Sequence, residues 1–269
     1  MTGPPRRTRP VAGQPAAWLE AGSGPPLVLI HGAGGSAELW QPQLDGLADV
    51  ARVVAPDLPG HGPLGGRGKP SVAAYAEWLG GFLAALGEVP PVLVGHSMGG
   101  AVAQTLALER PERLAGLVLV GTGARLRVLA RIVDLLRQHP REGQSLIQDL
   151  SFGAAAPREC VEMVARVLRE GAPLVTLGDY LACDRFDVRD RLAGIRTPTL
   201  VVTGAEDRLT PLRYGRLLAE TIPGARLLEI PAAGHFPQLE QPVPVNAAIR
   251  GFLAELGDAS IGGAAKASV

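Results

Sequence analysis

The stretch PVLVGHSMGGAVAQTLALE, residues 91–109, decides the fold. It begins with an apolar run typical of a buried strand and ends with apolar residues at helical spacing. Between the two, Gly95, Ser97 and Gly99 form the pattern G-x-S-x-G. A serine on such a strand-to-helix turn has a strained backbone, and the small flanking residues let the strand and the helix approach each other closely. We therefore predict that the hydroxyl of Ser97 is a nucleophile held clear of a sheet.

A serine hydroxyl needs a base that accepts its proton and a carboxylate that fixes the tautomer of that base. His235 follows the apolar run RLLEI, and Asp207 follows the run TLVVTG. The chain order serine, acid, histidine is the order known for folds that carry this serine motif. We predict His235 as the general base and Asp207 as the acid. Glu206 is the alternative acid, and the shorter, stiffer side chain favours Asp207.

Attack on a carbonyl group creates an oxyanion, which main-chain N–H groups can stabilise. We expect one donor to be the amide of Met98, directly after the nucleophile, and the other the amide of Ala33 in IHGAGG, residues 30–35. That glycine-rich segment has two other interpretations, an ordinary strand-end turn or a phosphate-binding loop. Because it lacks the Rossmann and Walker spacings, nucleotide binding is not expected.

Short apolar runs alternate with longer helical patterns over most of the chain, which predicts a parallel sheet with helices on both faces. A short antiparallel hairpin is expected at the sheet edge, at residues 11–21. The predicted strands are residues 26–30, 52–55, 91–95, 114–120, 199–203 and 225–230, and the predicted helices are residues 72–86, 101–108, 212–218 and 245–256.

The alternation stops between residues 125 and 192, where the sequence predicts helices alone. A helical insertion between two core strands is typical of a cap over an active site, although extra helices at the sheet edge would give the same pattern. The predicted organisation is thus a core of residues 1–124 and 193–256 and a helical cap of residues 125–192. The small and polar residues 257–269 predict a flexible C-terminal tail.

The composition excludes several classes of protein. Lysine plus arginine and aspartate plus glutamate number 26 each, so no net charge favours nucleic acid or an anionic membrane. No apolar stretch has the length of a membrane span, and Arg6 and Arg7 are expected in a flexible arm rather than in an export signal. The two cysteines, Cys160 and Cys183, suit neither a disulfide framework nor a metal site, which favours a cytoplasmic location.

Five segments together resemble the α/β-hydrolase superfamily, in particular its small cap-bearing members such as 3-oxoadipate enol-lactonases, carbon–carbon bond hydrolases and carboxylesterases. The segments are LVLIHGAGG at 27–35, VVAPDLPGHG at 53–62, VGHSMGGAVAQTLALERPERLAGLVLVGTGARL at 94–126, PTLVVTGAEDRLTP at 198–211 and IPAAGHFPQLEQP at 230–242. The resemblance implies an α/β-hydrolase fold with a mostly parallel, eight-stranded sheet.

The same resemblance implies roles for single residues. Ser97, Asp207 and His235 take the triad positions, and Ala33 and Met98 take the oxyanion-hole positions. Two further residues of the matched segments, Asp57 and His61, are expected to be structural. Of the remaining histidines, His96 only flanks the nucleophile and His139 closes a cap helix.

The implied activity is hydrolysis of a small-molecule carboxylic ester or lactone through an acyl-enzyme, with no cofactor and no metal. The protein is expected to be a monomer or a homodimer. Carbon–carbon bond cleavage is the alternative, with Arg125 and Arg185 as candidate cap cations for a substrate carboxylate. A catalytically silent ligand receptor is the alternative of another class. Haloalkane dehalogenases and epoxide hydrolases have an aspartate where this chain has Ser97. A hydroxynitrile lyase needs a lysine in the cap, and Lys69 and Lys266 both lie outside it. A perhydrolase side activity stays open.

Overall fold

The computed structural model describes residues 4–11, 13–87 and 89–266, and from residue 259 onward it describes the backbone only. The described residues form one eight-stranded sheet. Its strands are β1 Arg6–Val11, β2 Gln14–Ala21, β3 Pro26–Ile30, β4 Arg52–Pro56, β5 Val92–His96, β6 Gly116–Val120, β7 Thr199–Gly204 and β8 Arg226–Ile230. Their order is β1-β2-β4-β3-β5-β6-β7-β8. The pairs β1–β2 and β2–β4 are antiparallel and the other pairs are parallel, so the predicted sheet is confirmed.

The helices of the described residues cover both faces of this sheet. They are α1 Gln41–Leu47, α2 Val72–Leu86, α3 Met98–Glu109, α4 Ala130–Gln138, α5 Pro140–Ser151, α6 Arg158–Glu170, α7 Pro173–Asp184, α8 Leu212–Thr221, α9 Pro237–Glu240 and α10 Pro242–Lys266. Short 3-10 turns lie at Ala37–Trp40, Gly62–Leu64, Pro111–Arg113 and Arg189–Gly194. None of the described helices combines the length and apolar character that crossing a bilayer requires.

Successive residues of a strand point to opposite faces, and β3 shows how this builds two cores. Val28 and Ile30 pack in one apolar cluster with side chains of α2 and α3. Leu27 and Leu29 pack in the other cluster with side chains of α1 and α10. All four side chains are fully buried. A continuous apolar run is therefore what a strand between two helical layers requires.

Helices α4 to α7 lie between β6 and β7, and we call them the helical insertion. The chain segments that enter and leave the insertion lie side by side, since Arg125 and Asp187 form an isolated antiparallel bridge. Apolar side chains of α4, α5 and α6 form a third cluster with Leu39, Phe236 and Leu239 of the core. Since Phe236 directly follows His235, the insertion packs against the loop that carries the predicted base.

The prediction of a flexible arm at Arg6 and Arg7 is wrong. Both residues lie in β1, where Arg6 pairs with Leu19 and Arg7 with Trp18 of β2. The guanidinium of Arg6 bonds to the carboxylate of Asp57, which compensates for the loss of hydration at this edge of the core. A polar segment can pair at a sheet edge when its charges find partners, and apolar periodicity does not reveal this.

The predicted tail also differs from the structure. Helix α10 continues to Lys266, so residues 257–266 are helical, while residues 267–269 lie outside the described residues. Alanine is the best helix former, and this segment continues a helix that has already started, so propagation costs little.

Candidate active site

Ser97 occupies a sharp turn between β5, which ends at His96, and α3, which begins at Met98. Its backbone has φ 52° and ψ −117°, a conformation that L-residues rarely adopt. A Cβ atom at Gly99 would overlap the main-chain oxygen of Ile30, and one at Gly95 would overlap the main chain of Gly99. Only glycine therefore permits the close approach of β3, β5 and α3 that creates this turn.

The main chain of Ser97 is held on both sides, which explains how the strained conformation persists. Its N–H donates to the carbonyl of Val120 at 3.0 Å, and the hydroxyl of Thr122 donates to its carbonyl at 2.8 Å. In the described part of the chain no hydrogen bond joins the Ser97 hydroxyl to His235, although both side chains line the same cavity. Catalytic hydrogen bonds of this kind commonly tighten only when substrate binds.

His235 and Asp207 form a buried hydrogen-bonded pair. The distance from His235 Nδ1 to Asp207 Oδ2 is 2.9 Å, and the two side chains are 5% and 0% exposed. Asp207 follows β7 and His235 follows β8, so neighbouring parallel strands bring together residues that are 28 positions apart. Because a carboxylate oxygen only accepts, Nδ1 carries the proton, and the lone pair of Nε2 is left as the basic site.

The carboxylate of Asp207 is fixed by further donors that no sequence pattern marks. Oδ1 accepts from the main-chain N–H groups of Leu209 and Thr210 at 2.9 and 2.8 Å, and Oδ2 accepts from the Thr210 hydroxyl at 2.7 Å. Burial alone would raise the pKa of Asp207, but the charge of His235 and the hydrogen bonds from His235 and Thr210 outweigh it and lower this pKa below its usual range. The carboxyl group is therefore ionised at neutral pH.

Glu206, the alternative acid, points away from the histidine. Its carboxylate is exposed and accepts from the main-chain N–H of Ala154 at 2.7 Å. Another carboxylate, Glu240 of α9, is buried and supports the histidine loop by accepting from the N–H groups of Gly234 and Phe236 at 3.0 and 3.1 Å. The sequence carried no signal for Glu240, because its partners are main-chain groups.

The predicted oxyanion donors lie next to Ser97. Ala33 lines the same cavity as Ser97 and His235, and it lies in the loop after β3. Met98 is the first residue of α3, so its amide is among the N-terminal amides that lack a partner within the helix. Met98 thus adjoins the predicted nucleophile along the chain, and Ala33 shares a cavity with it.

Two cavities meet at Ser97. The larger one has a volume of about 290 Å³ and the smaller one about 20 Å³. The larger is lined by Ala33, Ser97, Leu126, Arg127, Val128, Leu129, Ile132, Tyr180, Cys183, Arg208, Leu209, Thr210, Pro211, Arg213, Tyr214 and His235. The smaller lies against apolar side chains of α5 and α6, namely Ile147, Val164 and Leu168.

A family model described as the alpha/beta hydrolase family matches residues 27–248. The chain belongs to this family. The match spans all the elements that carry Ser97, Asp207 and His235, as well as the helical insertion.

The hydrolase has relatives of similar length. It is 32% identical over 255 residues to a putative carbamate hydrolase, RutD, of Azorhizobium caulinodans, covering 87% of this chain and 93% of the relative. It is 30% identical over 257 residues to a 2-hydroxymuconate semialdehyde hydrolase of Pseudomonas putida, covering 88% and 89%. A solved structure of a thermophilic esterase superposes with a TM-score of 0.83 at 36% identity, covering 94% of this chain and 98% of that one.

His96 of the hydrolase, which flanks the nucleophile, lies beneath the predicted base. Its Nε2 faces the main-chain oxygen of His235 at 2.8 Å, so Nε2 donates. Complete burial, together with the charge of His235, lowers the pKa of His96 to about 3. A histidine that stays neutral in this way supports the histidine loop as a neutral hydrogen-bond donor.

A second buried ionisable cluster of the hydrolase joins the insertion to the core. Asp179 of α7 accepts from His61 Nε2 at 2.8 Å through Oδ2 and from the Tyr75 hydroxyl at 2.7 Å through Oδ1. Oδ2 also accepts from the main-chain N–H of Gly34 at 2.9 Å. Burial opposes protonation of His61, but the charge of Asp179 and its hydrogen bond raise the pKa of His61 above its ordinary value. No sequence pattern marks Asp179, because its partners lie more than 100 positions away.

Proposed function

We propose that this α/β hydrolase cleaves small-molecule carboxylic esters or lactones through an acyl-enzyme. The observation that carries the proposal is the buried His235–Asp207 pair, whose histidine lines a cavity together with Ser97 on its strained turn. The 36% identity to a thermophilic esterase over 94% of the chain supports the same activity.

In the proposed first step, Ser97 Oγ attacks the carbonyl carbon of the ester while His235 Nε2 takes the hydroxyl proton. Asp207 holds the resulting imidazolium by charge and by the hydrogen bond at Nδ1. The amides of Ala33 and Met98 stabilise the oxyanion of the tetrahedral intermediate. Collapse of the intermediate breaks the bond to the alcohol oxygen, which receives the proton from His235.

In the second step, His235 takes a proton from water, and the resulting nucleophile attacks the acyl carbon of the Ser97 ester. The second tetrahedral intermediate breaks the bond to Ser97 Oγ, which regains its proton from His235, and the acid leaves. A lactone follows the same course, except that its alcohol and acid groups leave as one molecule.

The two cavities at Ser97 favour esters with one small and one large substituent. A volume of about 20 Å³ holds a group about as large as one water molecule. The cavity of about 290 Å³ holds a much longer chain. We infer that a methyl group, that of an acetyl ester or of a methyl ester, occupies the smaller side, against α5 and α6.

Carbon–carbon bond cleavage is the second candidate, and the 30% identity to the 2-hydroxymuconate semialdehyde hydrolase favours it. The two candidate cap cations do not support it. Arg125 pairs with Asp187 at 3.7 Å, and Arg185 donates to the main-chain oxygen of Pro70 at 2.9 Å. Neither arginine lines a cavity with Ser97 among the described residues. Ester or lactone hydrolysis is therefore the better-supported activity.

We further propose that the enzyme acts in the cytoplasm on a small-molecule substrate, as a monomer or homodimer. Cys160 and Cys183 are both free thiols, as is usual in a reducing compartment.

A substrate panel tests the proposed activity. We expect p-nitrophenyl acetate to be hydrolysed with a kcat/KM at least about tenfold above that of p-nitrophenyl octanoate, because the octanoate ester has two large substituents and one must enter the smaller cavity. Hydrolysis of a γ-lactone should be measurable by titration of the released acid. Cleavage of a 2-hydroxy-6-oxodienoate alone would favour the carbon–carbon hydrolase, and no turnover of any member would favour the silent receptor.

A further inference from the structure

The larger cavity at Ser97 and His235 has a basic rim. Arg127, Arg208 and Arg213 all line it. They come from three different places, since Arg127 precedes α4, Arg208 lies in the loop after β7, and Arg213 is in α8. All three residues are exposed at the mouth, so their guanidinium groups can meet a substrate as it enters.

Among the described residues, the rim arginines have no ion-pair partner. No aspartate or glutamate is among the described residues that line the cavity. In the described part of the chain, none of the three rim arginines forms an ion pair, and Arg208 donates only to a main-chain carbonyl of α5. By contrast Arg216, three residues further along α8, pairs with Glu229 at 3.6 Å. An uncompensated group of like charges at a cleft attracts ligands of the opposite charge.

Apolar side chains line the same cavity as the rim arginines and Ser97. Leu126, Val128, Ile132 and Leu209 line the same cavity, and such walls suit a chain of methylene groups. A substrate that fits has a scissile carbonyl at Ser97, an apolar stem and an anion at its far end. Guanidinium groups bind carboxylates through paired, charge-assisted hydrogen bonds.

We propose that the hydrolase prefers esters whose larger substituent ends in a carboxylate. This preference rests on the proposed ester hydrolysis and adds the chemical class of the substrate. Two matched pairs of esters test it, each with one small substituent. In the first pair the anion is on the acyl side, monomethyl glutarate against methyl pentanoate. In the second pair it is on the alcohol side, 4-acetoxybutanoate against butyl acetate.

We expect the anionic ester of at least one pair to have a kcat/KM about tenfold or more above its neutral partner at low ionic strength, and this ratio to fall as salt is added. The triple variant Arg127→Gln, Arg208→Gln, Arg213→Gln should lose the preference while it still hydrolyses the neutral esters. The matched control is Arg216→Gln, which removes a charge from the same helix outside the cavity and should keep the preference.

Two results would overturn the preference: equal kcat/KM values within both pairs for the wild type, or an unchanged ratio in the triple variant. Failure of the underlying activity looks different, because then the neutral esters also remain uncleaved. The three positions are exposed, so the triple variant should fold, and its melting temperature checks this.

A different observation carries a second inference, which concerns Asp179. Its bond to the Gly34 amide fixes the peptide unit that follows Ala33, the predicted oxyanion donor. Gly34 has φ 63°, and a Cβ there would lie 2.9 Å from Thr176 Cγ2, so α7 packs directly on this loop. The carboxylate is completely buried, and it is also held by the Tyr75 hydroxyl at Oδ1 and by His61 at Oδ2.

We infer that Asp179 is a positioning residue through which the helical insertion sets the geometry of the oxyanion hole. This inference also rests on the proposed ester hydrolysis. If it holds, loss of the carboxylate weakens binding of the transition state more than binding of the substrate. The relevant readouts are therefore kcat against KM, and the affinity for a boronic acid that forms a tetrahedral adduct with Ser97.

We expect Asp179→Ala to lower kcat for p-nitrophenyl acetate about tenfold or more, less than deletion of an oxyanion donor, with KM within about threefold. Affinity for the boronic acid should fall by a similar factor. Asp179→Asn keeps an acceptor for the Gly34 amide, so its kcat should lie between those of the wild type and the alanine variant. The control Tyr75→Phe removes a bond to Asp179 but leaves the Gly34 contact, and should keep kcat within about threefold.

A wild-type kcat in Asp179→Ala, or an equal loss in Tyr75→Phe, would overturn the positioning role. If the alanine variant does not fold, Asp179→Asn decides: lowered kcat with unchanged KM supports the role, and wild-type kcat contradicts it. The proposed function fails separately, if Ser97→Ala is as active as the wild type.

Discussion

Ser97→Ala is expected to lower kcat for p-nitrophenyl acetate by about 10⁴-fold or more, because hydrolysis then loses its covalent route. The residual rate would come from the oxyanion donors and from substrate binding. The fold should persist, since the strained turn is held by the main-chain bond to Val120 and by Thr122, neither of which involves the serine hydroxyl. Spectrophotometric release of nitrophenolate measures the loss, and circular dichroism checks the fold.

Ser145 provides a matched control for this substitution. It is an exposed serine of α5 in the insertion, so Ser145→Ala should keep the wild-type kcat. A Ser97→Ala protein that retains more than about one hundredth of the wild-type kcat would remove Ser97 as nucleophile, because triad substitutions cost far more.

Asp207→Asn should lower kcat by about 10⁴-fold at neutral pH, with the fold preserved. The amide can donate a hydrogen bond to Nδ1 of His235, which would move the imidazole proton to Nε2 and leave no lone pair to accept the proton of Ser97. The amide also cannot stabilise the imidazolium that forms during attack. Steady-state kinetics over a range of pH values measures this effect.

Glu206→Gln is the control for that variant, because it changes the neighbouring carboxylate in the same way. Its amide oxygen can still accept from Ala154, so kcat should stay within about threefold of the wild type. A large loss in Glu206→Gln together with an active Asp207→Asn would make Glu206 the acid.

The features that the sequence predicted depend on local patterns or on chain order. The turn at Ser97 needs small residues two positions before and after it, and these are visible in five consecutive letters of the sequence. The strand 26–30 and the helix 72–86 agree with the structure to the residue, because their apolar spacing reflects burial on fixed faces. Asp207 and His235 could be named because parallel strands bring their carboxyl ends to one edge of the sheet.

The features that the sequence did not predict depend on contacts between distant segments. Gly34 and Asp179 are 145 positions apart, and neither lies in a pattern that names the other. The rim formed by Arg127, Arg208 and Arg213 appears only once the insertion is folded back over the sheet. The sequence suggested Arg125 and Arg185 for a substrate carboxylate, but these side chains bind Asp187 and the main-chain oxygen of Pro70 instead. A helical pattern does not tell which face of the insertion meets the cavity.

Covalent labelling with a fluorophosphonate tests the central claim most directly, because the probe reacts with an activated serine whatever the natural substrate is. We expect one adduct per chain by intact-mass spectrometry, located at Ser97 by peptide mapping, and no adduct on Ser97→Ala. An unlabelled wild-type protein, or equal labelling of the wild type and Ser97→Ala, would contradict the assignment of Ser97, His235 and Asp207 as the machinery of a serine hydrolase.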